Sequence, residues 1–170
     1  MTNKLYVGID IGKNGAIATI DPKGEIITYP MPLIGSELDY HELSALMVKI
    51  TTDYSDVHVV FEKLGVIFGS GKNVAFSMGE QIGAVEMSCI CKGISYTKTR
   101  AILWQKEMFQ GVPEQLKTNS SKRDTKSMAL IAIKRIFPDL VLTFGKRAVK
   151  PHDGLIDAVL MAEYARRKNL

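Results

Sequence analysis

Two short, turn-rich connections near the N-terminus limit the possible folds of this chain more than any other feature. They cover residues 12–15 and 21–24, and they separate three segments of strand type at residues 4–10, 16–20 and 25–29. Glycine, asparagine, aspartate and proline in such short connections indicate tight turns between neighbouring strands. The chain is therefore predicted to begin with an antiparallel three-stranded meander.

The rest of the chain alternates between helical and strand patterns. A short, almost wholly apolar run at residues 57–61 is typical of a strand that is buried on both faces of a sheet. Apolar spacing predicts helices at residues 40–51, 73–92, 100–109, 123–136 and 154–167, with a further strand at 94–97. This order predicts one α/β domain over residues 1–170, with a mixed sheet covered by helices on both faces.

Positive charge is concentrated in one segment. The formal net charge is +4, but residues 117–150 hold nine lysines and arginines and two aspartates, so this segment carries +7 and the remainder −3. A basic segment beside an acidic body indicates a polyanionic partner, most commonly nucleic acid. A solvated helical surface would give the same pattern, and charge alone does not separate the two.

Other features exclude several protein classes. Cys89 and Cys91 are too close in sequence for a disulfide bridge and supply at most half of a zinc site, so both are interpreted as small core residues. The first residues lack the charged and apolar regions of a signal peptide, and no apolar run approaches the roughly 20 residues of a membrane span. We therefore expect an intracellular protein, in the cytoplasm, with no membrane partner.

Three carboxylates stand alone in segments that otherwise have a buried pattern. Asp10 and Glu62 end two apolar strand segments, and Asp157 is the only charge in the apolar run at residues 154–162. An unpaired carboxylate in such surroundings is costly, so it is neutralised, paired or bound to a cation. A buried arginine or a helix N-terminus would account for any one of them. Three such acids on separate elements favour convergence on a shared cation.

The ligand chemistry of these acids selects the cation. Hard oxygen donors without a cluster of histidine and cysteine favour Mg²⁺, or Mn²⁺ in its place, over Zn²⁺. Two such ions about 4 Å apart can activate a water and stabilise the leaving oxygen of a phosphodiester. Together with the basic segment, the acids predict a metal-dependent nuclease.

The start of the last predicted helix offers a fourth ligand. Asp153 lies one helical turn before Asp157, on the same helix face, and is interpreted as a metal ligand; an N-cap of the helix is the alternative. His152 lies off that face. It is expected to support the ligands or to contact a phosphate.

Three motifs resemble those of a known family. They are residues 8–12 (GIDIG), 61–63 (FEK) and 152–158 (HDGLIDA), and they look like the acidic motifs of the RuvC-type Holliday junction resolvases, closest to the shorter enzymes encoded by bacteriophages of lactococci and related hosts. The resemblance implies a ribonuclease H-like fold and a homodimer that resolves four-way DNA junctions by paired nicks in a bacterial host cell. It further implies two Mg²⁺ ions in each subunit, with Asp10, Glu62 and Asp157 as ligands.

The resemblance also has consequences for substrate and assembly. Cellular members place a further ligand three residues before the last aspartate, where this chain has Gly154, so Asp153 would substitute for it. Phage relatives act on a wider range of branched DNA, which adds forks and flaps to the expected substrates. Residues 72–75 with Gly79 and Gly83 resemble the family's dimer-interface helix; packing within the chain is the alternative for the two glycines.

Candidate DNA contacts come from the resemblance and from the basic segment. Lys106 and Lys126 fall where the family carries DNA-contacting lysines, and Lys122 and Arg123 are further candidates within the basic segment. Phe68 would correspond to an aromatic residue that stacks at the junction, with a core or lid residue as the alternative.

Two other functions fit parts of the sequence. An actin-like or sugar-kinase-like nucleotide-binding protein also has an Asp-x-Gly motif in its first hairpin, but that fold clamps ATP between two such domains, and 170 residues supply one. A P-loop at residues 65–72 fails on spacing, and Asn73 stands where it needs Ser or Thr. A catalytically inactive protein that binds branched DNA is the second alternative, and the retained lone acids argue against it.

Overall fold

The turn-rich N-terminal segment forms the predicted antiparallel meander. In the computed structural model, β1 (Lys4–Asp10), β2 (Ala16–Ile20) and β3 (Ile26–Pro30) are neighbours with continuous antiparallel pairing. Asp21 closes the second connection, because its carboxylate accepts hydrogen bonds from two backbone N–H groups of the same turn at 2.8 and 2.7 Å. β3 begins one residue later than the sequence predicted.

The remaining elements follow the predicted order, with ends that shift by one or two residues. The structure describes residues 3–63, 71–145 and 147–170. After β3 come β4 (Leu33–Ile34), β5 (Glu37–Leu38), α1 (Tyr40–Thr51), β6 (Asp56–Glu62), α2 (Lys72–Cys91), β7 (Ser95–Thr99), α3 (Ala101–Met108), α4 (Thr125–Ile136) and α5 (Asp153–Lys168). The β4–β5 hairpin was not predicted, because two-residue strands leave no periodic pattern.

The five longer strands form one mixed sheet in the order β3-β2-β1-β6-β7. β6 runs parallel to β1, and β7 runs parallel to β6. The register places Ile9 opposite Phe61, so the C-terminal ends of β1 and β6 lie side by side at one end of the sheet. The turn between β2 and β3 lies at the opposite end of the sheet.

Helices cover both faces of the sheet, as predicted. Successive side chains of a strand point to opposite faces, so Val7 and Ile9 join the apolar cluster under α1 and α2, whereas Tyr6 joins the cluster under α3, α4 and α5. On β6, Phe61 and Val60 divide between the two clusters in the same way. The sheet therefore carries a separate core on each side.

α5 approaches β1 so closely that only glycine fits beneath it. A Cβ atom on Gly8 would lie 2.0 Å from the carbonyl oxygen of Ala158 and 2.6 Å from the nitrogen of Ala162. Residues 154–162 are all buried except Asp157, which is partly exposed. Contact between main-chain atoms thus sets the height of this helix above the strand.

Side-chain caps determine where α4 and α5 begin. Asp124 accepts a hydrogen bond from the Ser127 N–H at 3.2 Å, so α4 starts at Thr125 and not at residue 123. His152 Nδ1 accepts one from the Leu155 N–H at 3.1 Å, which makes His152 the N-cap of α5. The alternative interpretation of Asp153 as the N-cap is therefore wrong.

Two further expectations concern the cysteines and the membrane. Cys89 is buried on the inner face of α2, but Cys91 is exposed at the end of that helix, so the interpretation of both as core residues is wrong for Cys91. Within the described ranges, none of the helices combines the length and the apolar character needed to cross a bilayer.

Candidate active site

The three solitary acids meet at one end of the sheet. Asp10 is the last residue of β1 and Glu62 is the last residue of β6, and the parallel pairing of these strands brings both acids to the same end of the sheet. α5 starts above this end, since a Cβ atom on Gly154 would lie 2.8 Å from Asp10 Oδ2. Asp157, one turn along α5, lies close enough for its charge to raise the pKa of Asp10.

Burial and mutual repulsion raise the pKa of two of these carboxyls. The pKa of Asp10 rises from 3.8 to about 7, first because the group is buried and then because Asp157, Glu62 and Asp153 lie nearby. The pKa of Asp157 also rises to about 7, through burial and then through the charges of Glu62 and Asp153. Lys126 lowers both pKa values. The ionised acids therefore need a cation near them to be stable.

Trp104 holds one oxygen of Glu62. Its indole Nε1–H donates a hydrogen bond to Glu62 Oε1 at 2.8 Å, and the ring is completely buried in the cluster under α3. Trp104 is the single tryptophan of the chain, and the sequence did not mark it as part of the site. The acceptor lies 42 residues earlier, so no local pattern marks the pair.

A second polar group adjoins Glu62 without a partner. Thr99 is the register partner of Glu62 on β7. Its hydroxyl oxygen is buried and makes no hydrogen bond with any described residue. An orphaned hydroxyl beside a carboxylate is a feature of polar sites that are completed by a ligand or a water.

Asp153 lies beside the other acids but is paired with a lysine of the chain. Lys126 Nζ, on α4, donates to Asp153 Oδ2 at 2.6 Å. Both side chains are substantially exposed, at 74% for Lys126 and 46% for Asp153. Exposed ion pairs contribute only about 0–1 kcal/mol, so the two side chains separate readily. Lys126, predicted as a DNA contact, therefore bridges α4 and the start of α5.

No side chain fits at position 154. A Cβ atom on Gly154 would lie 2.3 Å from the Asn14 carbonyl oxygen and 2.8 Å from the Gly15 Cα. Both are backbone atoms of the β1–β2 connection, which cannot move aside cheaply. Position 154, where the resemblance implied a further ligand, is therefore closed to any side chain, and Asp153 is the acid in the first turn of α5.

His152 acts on the backbone of α5. Its Nδ1 caps the helix, and its ring packs edge-on against Phe144 with ring centroids 4.9 Å apart. These contacts fix the first turn of the helix that carries Asp153 and Asp157. Support of the metal ligands and a phosphate contact both stay predictions for His152.

The donor set fits Mg²⁺ or Mn²⁺, since it consists of carboxylate oxygens. Among the described residues, however, no three His, Cys, Asp or Glu side chains already surround one point closely enough to hold a metal ion. Asp153 is drawn to Lys126, so this carboxylate would have to turn away from the lysine to join a metal site. Like charges repel when no cation lies between them. Small side-chain movements would therefore have to bring the carboxylates together.

Basic side chains lie close to the acids on α4 and on the segment before α5. Lys126 and Lys150 line a cavity of about 310 Å³ together with Asp153. Lys106 is exposed in the last turn of α3, the helix that carries Trp104. These placements suit the approach of a phosphate backbone.

The other predicted DNA contacts lie farther along the basic segment or outside the described residues. Lys122 is exposed in the turn before α4. Arg123 pairs with Glu114 at 3.0 Å, so its charge is already partly compensated. Phe68 falls in residues 64–70, which are outside the described ranges, and its role stays a prediction.

Comparison with known proteins identifies the fold. No family model and no curated protein sequence matches the chain. Among solved structures, one of Thermus thermophilus RuvC in complex with a Holliday junction substrate covers 96% of this chain and 96% of its own, with a TM-score of 0.58 and 13% identity. A second Thermus thermophilus RuvC structure covers 97% and 96%, with a TM-score of 0.52 and 14% identity. The chain has the ribonuclease H-like fold of these structures.

Proposed function

We propose that this chain is a metal-dependent endonuclease that nicks branched DNA, in the manner of the RuvC-type resolvases. The observation that carries the proposal is the meeting of Asp10, Glu62 and Asp157, on three separate elements, at one end of the central strand pair. Burial and neighbouring charge raise the pKa of two of them to about 7, so the ionised cluster destabilises the fold without a cation. A chain that keeps such a cluster is expected to use it.

The proposed cofactor is Mg²⁺, with Mn²⁺ as a substitute and two ions in each site. Bound ions would supply activation of a water and stabilisation of the leaving oxygen of the phosphodiester. We assign the ligands to Asp10, Glu62 and Asp157, with Asp153 as the fourth. The role of the protein is to hold these carboxylates in place. Asp10 and Glu62 lie at the ends of β1 and β6, and Asp153 and Asp157 lie in the first two turns of α5.

The proposed substrate is DNA with a four-way junction, and forks and flaps as well if the resemblance to the phage enzymes holds. One structural neighbour is bound to a Holliday junction substrate, which supports the choice. The +7 segment at residues 117–150 supplies the positive charge. When Asp153 turns towards a cation, Lys126 loses a weak partner, and its ammonium group becomes available to a phosphate.

The proposed assembly is a homodimer through α2. Phe76, Gly79, Gly83, Met87 and Ile90 follow one another at spacings of three and four residues, so they share one helix face. Phe76, Met87 and Ile90 are 69%, 55% and 57% exposed. No described atom lies within 4 Å of a Cβ atom built on either glycine, so packing within the described chain does not explain them. Within the described ranges, this face is therefore open to a second copy.

The test is a nicking assay on synthetic four-way junctions and on linear duplex, with Mg²⁺ or with EDTA. The wild-type protein should nick the junction only with Mg²⁺, and Glu62→Gln and Asp157→Asn should abolish nicking but keep binding. Matched controls are Glu25→Gln and Asp53→Asn, since both are exposed carboxylates at the opposite end of the sheet. These controls should nick like the wild type.

Each alternative function gives its own result in the same assay. ATP hydrolysis without nicking would favour the kinase-like reading and refute the nuclease. Junction binding without metal-dependent cleavage would favour an inactive DNA-binding protein. Equal loss of activity in Glu25→Gln would show that the effect of Glu62→Gln is not specific to the acid cluster.

A further inference from the structure

The single tryptophan of the chain donates its only polar hydrogen to a proposed metal ligand. Trp104 has no exposed surface, and its Nε1–H lies 2.8 Å from Glu62 Oε1. A buried indole N–H needs an acceptor, and most hydrogen bonds of side chains go to the backbone or to water. Here the acceptor is a carboxylate at the end of the strand that enters the acid cluster.

The surroundings of Trp104 hold the ring in one position. Phe109 packs edge-on against it, with ring centroids 6.1 Å apart and an angle of 76° between the planes. The ring lies in the same apolar cluster as Met108 and the inward residues of α5. A densely packed aromatic ring has little rotational freedom. The N–H therefore marks a fixed point in space for Oε1.

The backbone of Glu62 is fixed independently. The Lys63 N–H donates to the Thr99 carbonyl at 2.7 Å, which continues the pairing of β6 and β7 past Glu62. With the backbone held by β7 and Oε1 held by Trp104, the remaining freedom of the side chain is small. No described residue donates to the second oxygen, Oε2.

We propose that Trp104 is a positioning residue for the metal centre, an inference that rests on the proposed function. Its N–H holds Oε1 of Glu62, so that Oε2 is presented to the cation before the cation arrives. Without this hydrogen bond the Glu62 side chain would have to be ordered at the moment of binding, at a cost in affinity. Outer partners that orient metal ligands typically change metal affinity by about 10- to 100-fold.

Trp104→Phe tests the proposal, because it keeps a buried ring and removes the N–H. Titration of the protein with Mg²⁺ alone, followed by calorimetry, should show affinity about ten-fold weaker or more. The Mg²⁺ concentration for half-maximal junction nicking should rise by the same factor, while the rate at saturating Mg²⁺ stays close to that of the wild type. A fall in the saturated rate with an unchanged Mg²⁺ requirement would overturn the proposal.

The matched control is Phe109→Leu, which loosens the packing around Trp104 and leaves the N–H in place. If Phe109→Leu weakens Mg²⁺ binding as much as Trp104→Phe, the effect belongs to core packing and the proposal fails. Thermal unfolding of both variants without metal gives their loss of stability. Equal losses of stability with unequal Mg²⁺ affinities are the expected result.

The wild-type chain gives a second test that needs no Trp104 variant. Because the chain has one tryptophan, selectively excited fluorescence reports on the surroundings of Trp104, which include the Glu62 contact. Mg²⁺ should change the emission with the same midpoint as the calorimetric titration, and Glu62→Gln should remove the response. Calorimetric Mg²⁺ binding with unchanged emission would overturn the proposal. Absence of Mg²⁺ binding and of nicking in the wild type would instead refute the proposed function.

Discussion

Replacing Asp157 by asparagine should make the metal-free protein more stable above neutral pH. The pKa of Asp157 rises from 3.8 to about 7 on folding, mainly because the group is buried. Between about pH 4 and pH 7, the folded protein keeps a proton on Asp157 that the unfolded chain has lost, so the free energy of unfolding falls as pH rises. Asparagine has the shape of the protonated acid and carries no charge at any pH.

The magnitude follows from the size of the shift. A change of about 3 pH units at about 1.4 kcal/mol per unit gives about 4 kcal/mol for Asp157 taken alone. Asp10 shares the same space and its own pKa is also raised, so the repulsion between the two carboxyls counts once for the pair. We therefore expect Asp157→Asn to gain about 2–4 kcal/mol at pH 8 and almost nothing below pH 4.

The assay is urea unfolding of both proteins in EDTA across this pH range. The difference in free energy of unfolding between the two proteins should grow from about pH 4, where Asp157 titrates in the unfolded chain, to about pH 7, where it titrates in the folded protein. Asp53→Asn, an exposed acid at the other end of the sheet, should show no gap. A destabilised Asp157→Asn protein, or a gap that does not vary with pH, would refute the burial argument.

Mg²⁺ should narrow the difference in stability between the two proteins at pH 8. A ligand that binds only the folded state adds about 2.7 kcal/mol at a concentration 100 times its dissociation constant. Wild-type protein should gain this from Mg²⁺, and Asp157→Asn should gain much less. Unequal responses of this kind would be seen in unfolding curves without any DNA present.

Three other substitutions test separate parts of the structure. Lys126→Ala should weaken junction binding and reduce the slope of the logarithm of the binding constant against the logarithm of the salt concentration by about one. Lys23→Ala, at the opposite end of the sheet, should leave both unchanged. Equal slopes for wild type and Lys126→Ala would remove Lys126 from the phosphate contacts. Gly8→Ala places a methyl group 2.0 Å from a carbonyl oxygen of α5, so the free energy of unfolding measured in urea should fall by about 1–3 kcal/mol. Nicking per folded molecule should fall as well. Wild-type stability together with wild-type nicking would contradict the close contact. Phe76→Glu should yield a monomer in sedimentation equilibrium, with unchanged thermal stability. Val141 is equally exposed but lies outside α2, so Val141→Glu should leave the dimer intact. A Phe76→Glu protein that is still a dimer would exclude the exposed face of α2 as the dimer interface.

Much of the fold could be predicted, because the decisive signals are local. Tight turns specify the meander, and the apolar run before Glu62 specifies a strand buried on both faces. The convergence of Asp10 and Glu62 was expected from their solitary charges, whereas the parallel pairing of β1 and β6 that brings them to the same end of the sheet was not predicted. Their role as metal ligands stays a prediction.

The contacts that complete the site could not be predicted, because they are tertiary. Trp104 reaches Glu62 only once α3 packs under the sheet, and Lys126 reaches Asp153 only once α4 lies beside α5. The alternative role of Asp153 as the cap of α5 is wrong, since the adjacent His152 caps the helix and both side chains can accept a hydrogen bond. Local chemistry did not distinguish them.

The contact between Gly8 and α5 has a consequence for how this protein can change in sequence. The contact is made by main-chain atoms, so at this crossing the approach of α5 to β1 is limited by the backbone and not by a side chain. Asp10 lies two residues after Gly8, and Asp157 lies one residue before Ala158. A residue larger than glycine at position 8 would therefore disturb the acids directly, and this position is expected to tolerate less change in sequence than the apolar side chains around it.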